Sequence, residues 1–203
     1  MTENNKPKIG GLLLAAGGSR RLGRPKQLLK IEGKTLVRRA AEALIDAGCD
    51  LVVVVLGAEI EGSRLELDGL DVVIVENLKW ESGMSSSIRA GIDRLLELEQ
   101  NIDSVLISLC DQPHITAEKL AQFIDRFSSD QPSIIAAEYD GTRGVPALFA
   151  RDLFAQLRQL TGDKGARELI AINRDARSIL MPAAAADIDR QKDVDFVQGH
   201  CPR

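Results

Sequence analysis

The sequence predicts a doubly wound α/β fold, a mostly parallel sheet with helices on both faces, and two observations carry that expectation. Five continuous apolar runs, at residues 9–16, 51–56, 72–75, 105–109 and 133–137, are rich in Leu, Ile and Val without polar alternation, as strands buried on both faces require. Between them lie segments whose apolar residues recur at helical spacing, and strand alternating with helix implies parallel pairing through crossovers. No internal repeat or linker interrupts the pattern. A single domain over residues 1–203 is expected, with the polar residues 1–7 frayed.

Each element follows from its residues. The first run, IGGLLLAA, stops at Gly17 and Gly18, with Gly23 shortly after. Residues 35–47 set Leu36, Ala40, Ala43, Leu44 and Ala47 along one helical stripe, ahead of the LVVVVL strand. After the third run, residues 87–98 repeat the stripe with Ile88, Gly91, Ile92, Leu95 and Leu96. Thr116 reads as a helix start, with Leu120, Phe123, Ile124 and Phe127 on the inner side. PAAAAD at 182–187 reads as a connection near the last strand, and DVDFV after it is helix-like.

Composition excludes several classes of function. The 26 Lys and Arg against 30 Asp and Glu leave a net charge of -4, which argues against a general nucleic-acid binder. Aromatic residues are 3% of the chain, too few for base-stacking platforms. Cys49, Cys110 and Cys201 form no CxxC pair, and His114 and His200 have no zinc-ligand spacing. No apolar run is long enough to span a bilayer, and the first residues do not read as a signal peptide. The expectation is a reduced, cytoplasmic setting with no membrane or nucleic-acid partner.

In open α/β sheets ligands gather beyond the carboxyl ends of the strands, which selects the residues that matter. There, Gly17, Gly18 and Gly23 let backbone N–H groups face a phosphate, and Arg20, Arg21, Arg24 and Lys26 supply charge for a polyanion. The spacing fits neither GxxxxGK[ST] nor GxGxxG, so the loop is a phosphate cradle of a third design or an exposed basic turn. In WESGMSSSIRAGI, Gly83 allows close approach and Ser85, Ser86 and Ser87 bring hydroxyls to a helix start; an N-cap serine with two bystanders is the plainer account. Asp111 follows the fourth strand in VLISLCDQPHIT, either as a ligand of Mg²⁺, which takes one or two carboxylates plus phosphate oxygens, or as an ordinary turn residue before Pro113.

LLLAAGGSRRLGRPKQLL resembles the LAAGxSxRxGxxKxLL signature of nucleotidyltransferases, in the branch of molybdenum cofactor cytidylyltransferases among the MobA-like NTP transferases. The resemblance implies that Arg20 and Lys26 are catalytic phosphate ligands and that Leu14, Ala15 and Ala16 meet the base through their backbone, beside Gly17 and Gly18. It extends to G-M-x-x-S at Gly83–Ser87, a base and ribose segment, and to D-Q-P at 111–113, whose Asp111 would hold Mg²⁺. Gly144, Pro146 and Phe149 are similar to G-x-P-x-x-F, and residues 162–167 to G-D-x-G-A-R, implying that Arg167, backed by Lys164, meets the acceptor phosphate. Asp189 matches a second metal ligand, with Asp193 at a later motif position, but Arg190-Gln191 stands where the family has Thr-Pro and removes a rigid turn.

What the resemblance implies is NMP transfer from an NTP to a phosphate-bearing acceptor, with pyrophosphate released. LAAG with Pro-Lys is similar to the cytidylyl branch, which implies CTP and a molybdopterin-type acceptor, with a molybdenum enzyme as client. The alternatives are a GTP-using or sugar- or alcohol-phosphate enzyme of the same fold, and a non-catalytic cofactor carrier. The carrier would need neither Asp111 nor Lys26. No Ser-His-Asp set is found, as expected of chemistry driven by alignment and positive charge.

Overall fold

The computed structural model describes residues 6–163 and 165–197. Lys164, His200 and Cys201, and residues 1–5 of the expected frayed segment, lie outside the described residues. The sheet begins with β1 (Ile9–Ala15), followed by a small hairpin of β2 (Lys30–Ile31) and β3 (Lys34–Thr35), then α1 (Leu36–Asp46) and β4 (Leu51–Leu56). The chain continues through α2 (Ile60–Glu66), β5 (Val73–Glu76), α3 (Met84–Leu98), β6 (Ser104–Leu109) and α4 (Ala117–Asp130). It ends with β7 (Ile134–Tyr139), β8 (Thr142–Ala150), α5 (Phe154–Gln159), α6 (Arg167–Ile172), β9 (Arg177–Leu180) and α7 (Gln191–Val197).

The seven large strands form one sheet in the order β5-β4-β1-β6-β8-β7-β9. β1 pairs in parallel with β4 and β6, and β7 with β9; β8 alone runs antiparallel to both of its neighbours. The expected mostly parallel doubly wound sheet is therefore present, with β8 as the departure. TRGVPALFA is half apolar and begins polar, so it carries no continuous strand signal. It is held as a strand by β6 on one side and β7 on the other. A register shift opposite Ala136 and Ala137 leaves Val145 and Pro146 out of the ladder with β7, the position where a strand tolerates proline.

The absence of polar alternation in the strands is explained by two cores, one on each face of the sheet. Leu13, Ala15, Val52, Val54 and Leu56 point to the side covered by α1 and α4, where Leu44, Phe123 and Phe127 pack. Leu12, Leu14, Val53 and Val55 point to the other side, against Ile88, Ile92 and Leu95 of α3 and Leu157 of α5. Strands buried on both faces must be apolar at every position. Truncating Phe123, fully buried, to Ala removes about 3–5 kcal/mol by the cavity it leaves. A third, small cluster joins Leu29 and Ile31 of the hairpin region to Ile188 and Val194, which fastens the end of the described chain beside the first loop.

Candidate active site

The strand order reverses at β1: the chain passes from β1 to β4 on one side and returns to β6 on the other. Leu14 pairs with Leu109, so the loops after β1 and β6 leave the sheet at the same level and face each other. A crevice at such a reversal is where open α/β sheets bind ligands. Here it is a cleft of about 420 Å³, floored by Leu14, Ala15, Ala16 and Leu109.

The loop after β1 is shaped by its own sequence. Ser19 takes a left-handed conformation (φ 48°) and its carbonyl accepts from the N–H groups of Leu22 and Gly23, closing a turn. The Lys26 N–H donates to the Ser19 hydroxyl at 3.0 Å, and the buried Gln27 amide donates to the carbonyls of Ala15 (3.0 Å) and Gly17 (2.6 Å). Among the described residues, no backbone N–H from Gly17 to Arg21 donates to a protein acceptor, so these groups stay available to an anion. A side chain at Gly18 would meet the Trp80 ring at 2.7 Å, so the indole closes over the loop only because that position is glycine.

The opposite loop is acidic. Asp111 Oδ2 accepts from Lys26 Nζ at 2.5 Å, and Lys26 reaches Asp189 Oδ1 at 3.2 Å. Arg21 holds the other Asp189 oxygen at 3.0 Å. Asp111 Oδ1 is buried and has no protein partner. Burial alone would lower the Lys26 pKa, but the Asp111 and Asp189 carboxylates outweigh it and hold the ammonium above its usual range. The carboxyl of Asp187, a residue outside the cleft lining, is pushed up to about 6 by desolvation, then by the charges of Asp111 and Asp189. Cys110, in the cleft floor, is pushed up to about 12 by burial, so it stays a neutral thiol at physiological pH.

Asp189 is brought in from the far end of the chain. The Ile188 N–H donates to the Asp111 carbonyl at 3.0 Å. Gln112 Nε2 donates to the carbonyls of Val145 (3.2 Å) and Ala184 (2.9 Å), tying the Asp111 loop to the β8 irregularity and to the Pro182–Ala185 turn after β9. The rigid turn that Arg190-Gln191 removes is replaced by Asp193, whose carboxylate accepts from the N–H groups of Asp189 and Arg190.

Of the residues expected at the site, Leu14, Ala15, Ala16, Gly17, Gly18, Arg20, Lys26, Gly83, Ser87 and Asp111 line the cleft. Arg20 is exposed and paired with Glu81 at 3.0 Å, an attachment weak enough to exchange for a phosphate. Ser85, Ser86 and Arg167 do not line it. α3 starts at Met84, and successive helical residues point about 100° apart, so only one of the three serines faces the cleft. The Ser86 hydroxyl turns back to the carbonyls of Lys79 and Gly83, and the Ser85 N–H meets the Gly162 carbonyl. Gly83 (φ 109°) does permit a close approach, but of Gly162, which a Cβ would meet at 2.5 Å. Asp163, next to Gly162, lines the cleft, while Arg167, exposed at the start of α6, does not.

Sequence reasoning missed Gln27, Asn77, Trp80, Glu81, Gln112, Asp163 and Asp187. Only Gln27, a polar residue among leucines, gave a local sign of its burial.

Among the described residues no group of three or more His, Cys, Asp or Glu side chains forms a metal cage. Mg²⁺ does not ask for one, since one or two carboxylates and substrate phosphates suffice. The unpartnered Asp111 Oδ1, with Asp189 close by, fits a cation held jointly with a ligand.

Comparison with known proteins agrees with this geometry. A family model described as MobA-like NTP transferase domain matches residues 11–178. The nicotine blue oxidoreductase of Paenarthrobacter nicotinovorans is 34% identical over 98% of this chain and 97% of its own. A probable molybdenum cofactor guanylyltransferase of Bacillus cytotoxicus is 28% identical over 63% of this chain and 61% of its own. Rv0371c of Mycobacterium tuberculosis H37Rv, also crystallised in complex with manganese, superposes with a TM-score of 0.79 at 30% identity, covering 95% of this chain and 98% of that one. The phosphate-ready loop, the facing carboxylate and these likenesses together place the chain in the MobA-like NTP transferase family, as a nucleotidyltransferase.

Proposed function

We propose that the protein transfers CMP from CTP to a molybdopterin-type acceptor in the cytoplasm, releasing pyrophosphate, with Mg²⁺ as the working ion. The observation that carries this reading is the direct contact of Lys26 with Asp111 across the β1–β6 crevice. Cation and carboxylate from opposite loops face one space, where a triphosphate and its metal would sit together.

The residues divide the work by charge. Backbone N–H groups of Gly17 to Arg21 cradle phosphate oxygens, and Arg20 leaves Glu81 to join them. Lys26 turns from Asp111 to the substrate and neutralises charge that builds as an acceptor phosphate oxygen attacks the α-phosphorus. The bond to pyrophosphate breaks on the opposite side, so alignment matters more than any protein nucleophile. Mg²⁺, when bound by Asp111 and Asp189, supplies charge neutralisation at the phosphates. The neutral thiol of Cys110 takes no part.

CTP is favoured by the LAAG and Pro-Lys form of the first loop. GTP is the second reading, supported by the relative named as a guanylyltransferase. An oxidoreductase, after the name of the Paenarthrobacter relative, is a third; the first loop lacks the GxGxxG spacing of a dinucleotide fingerprint.

Pyrophosphate release in the presence of molybdopterin and Mg²⁺, measured with each of the four NTPs, separates these readings. Release with CTP supports the proposal, and release with GTP alone moves it to the second reading. No release with any NTP overturns it.

A further inference from the structure

Asn77, between β5 and α3, is 6% exposed and uses every polar atom it has. Its N–H donates to the Leu56 carbonyl at 2.8 Å, and its own carbonyl accepts from the Trp80 N–H at 3.2 Å. The side-chain oxygen accepts from the Lys79 N–H at 3.0 Å. A backbone N–H can only donate, so this contact fixes which end of the amide is oxygen. The amide nitrogen must then donate, and it does so twice, to Ser86 Oγ at 2.8 Å and Ser87 Oγ at 3.0 Å.

The two serines therefore both receive a hydrogen bond and must place their own hydrogen elsewhere. Ser86 gives its hydrogen to the carbonyls of Lys79 and Gly83. Ser87 lines the cleft and has no acceptor among the described residues. We propose that Asn77 is a positioning residue that commits the Ser87 hydroxyl to donating into the cleft, so that the site selects a nucleoside presenting a hydrogen-bond acceptor at that point. A serine normally serves as donor or acceptor as the ligand requires; here the protein has made the choice in advance. A donor group on the nucleoside at this point, such as an exocyclic amine, meets a second donor and is rejected. This inference rests on the nucleotide reading of the cleft and adds the polarity of one of its contacts.

The test is a double-mutant cycle in nucleotide affinity, measured by titration calorimetry with CTP and Mg²⁺, or with GTP where the parent prefers it. Ser87→Ala is expected to weaken binding about tenfold, the effect of one lost hydrogen bond at a desolvated contact. Asn77→Ala is expected to weaken it several-fold in the parent and to have no effect in the Ser87→Ala background. Asn77→Asp reverses the polarity, draws the Ser87 hydrogen away from the cleft and is expected to weaken binding at least as much as Ser87→Ala.

Equal losses from Asn77→Ala in both backgrounds would mean that it only supports the loop, and would overturn the inference. Unchanged affinity in Ser87→Ala would overturn it too, and needs no Asn77 variant to fold. Coupling that vanishes with the 2′-deoxynucleotide assigns the acceptor to the ribose 2′-hydroxyl, and coupling that survives assigns it to another acceptor of the nucleoside; both support the proposal. A parent protein that binds no nucleotide overturns the functional reading and this inference together, whereas binding without coupling overturns the inference alone.

Discussion

The two loops that meet in the cleft are each pinned by a buried glutamine, but to different parts of the chain. Gln27 ties the loop after β1 to Ala15 and Gly17, 12 and 10 residues away. Gln112 ties the loop after β6 to Val145 and Ala184, 33 and 72 residues away. The cationic side of the site is thus a local structure, formed by one short stretch folding on itself. The acidic side is assembled from β6, the β8 irregularity and the segment leading into α7. The difference teaches that the phosphate cradle is braced from within its own loop, whereas the carboxylate side is braced by segments far along the chain.

Breaking the contact between the two sides should have the largest effect. Lys26→Ala is expected to lower kcat/KM for the transfer reaction by about 10²–10³-fold, the scale of losing one preorganised charge near a developing one. Steady-state pyrophosphate release checks this. Parental kinetics would mean that the two sides do not act on one ligand.

Comparing the two glutamines sharpens the contrast at smaller scale. Gln27→Leu and Gln112→Leu each strand one buried carbonyl, of Ala15 and of Ala184, and should each cost about 1–3 kcal/mol in urea unfolding. Their functional effects should separate: Gln27→Leu raises the nucleotide KM, while Gln112→Leu raises the Mg²⁺ concentration needed for half-maximal rate. Identical profiles for the two variants would dissolve the distinction between a local and an assembled side.

The smallest effect concerns Asp187, which neighbours the acidic side. Asp187 has a folded-state pKa of about 6, above its ordinary 3.8, so the native protein holds a proton that the unfolded chain has released. Stability from this group is present at low pH and is lost as pH rises from about 4 through about 6. Asp187→Asn should therefore stabilise the protein near neutrality, by no more than about 1 kcal/mol for a solvent-screened group, and flatten the pH 4–6 slope of thermal midpoints. A lower midpoint at pH 7.5 would show that the ionised carboxylate is favourably paired.

The same local and assembled division governs what the sequence disclosed. The β1 loop was legible because its glycines, cations and preceding apolar run are contiguous, and the strands because burial on both faces demands unbroken Leu, Ile and Val. β8 was hidden, because TRGVPALFA is made a strand by its neighbours rather than by its own pattern. Three adjacent serines looked equivalent in sequence; the start of α3 at Met84 sends only Ser87 to the cleft. Arg167 was expected at the site, but it lies at the start of α6 outside the cleft, and Asp163 of the same motif lines the cleft instead. Asn77 and Gln112 act through partners that spacing along a chain does not reveal.

The central claim is that the cationic loop and Asp111 grip one nucleoside triphosphate through its metal. Thermal midpoints of the parent and Asp111→Ala, taken with CTP alone and with CTP plus Mg²⁺, test it most directly. The account predicts that both proteins are stabilised by CTP and that only the parent gains a further increment from Mg²⁺. An equal Mg²⁺ increment in Asp111→Ala would contradict it.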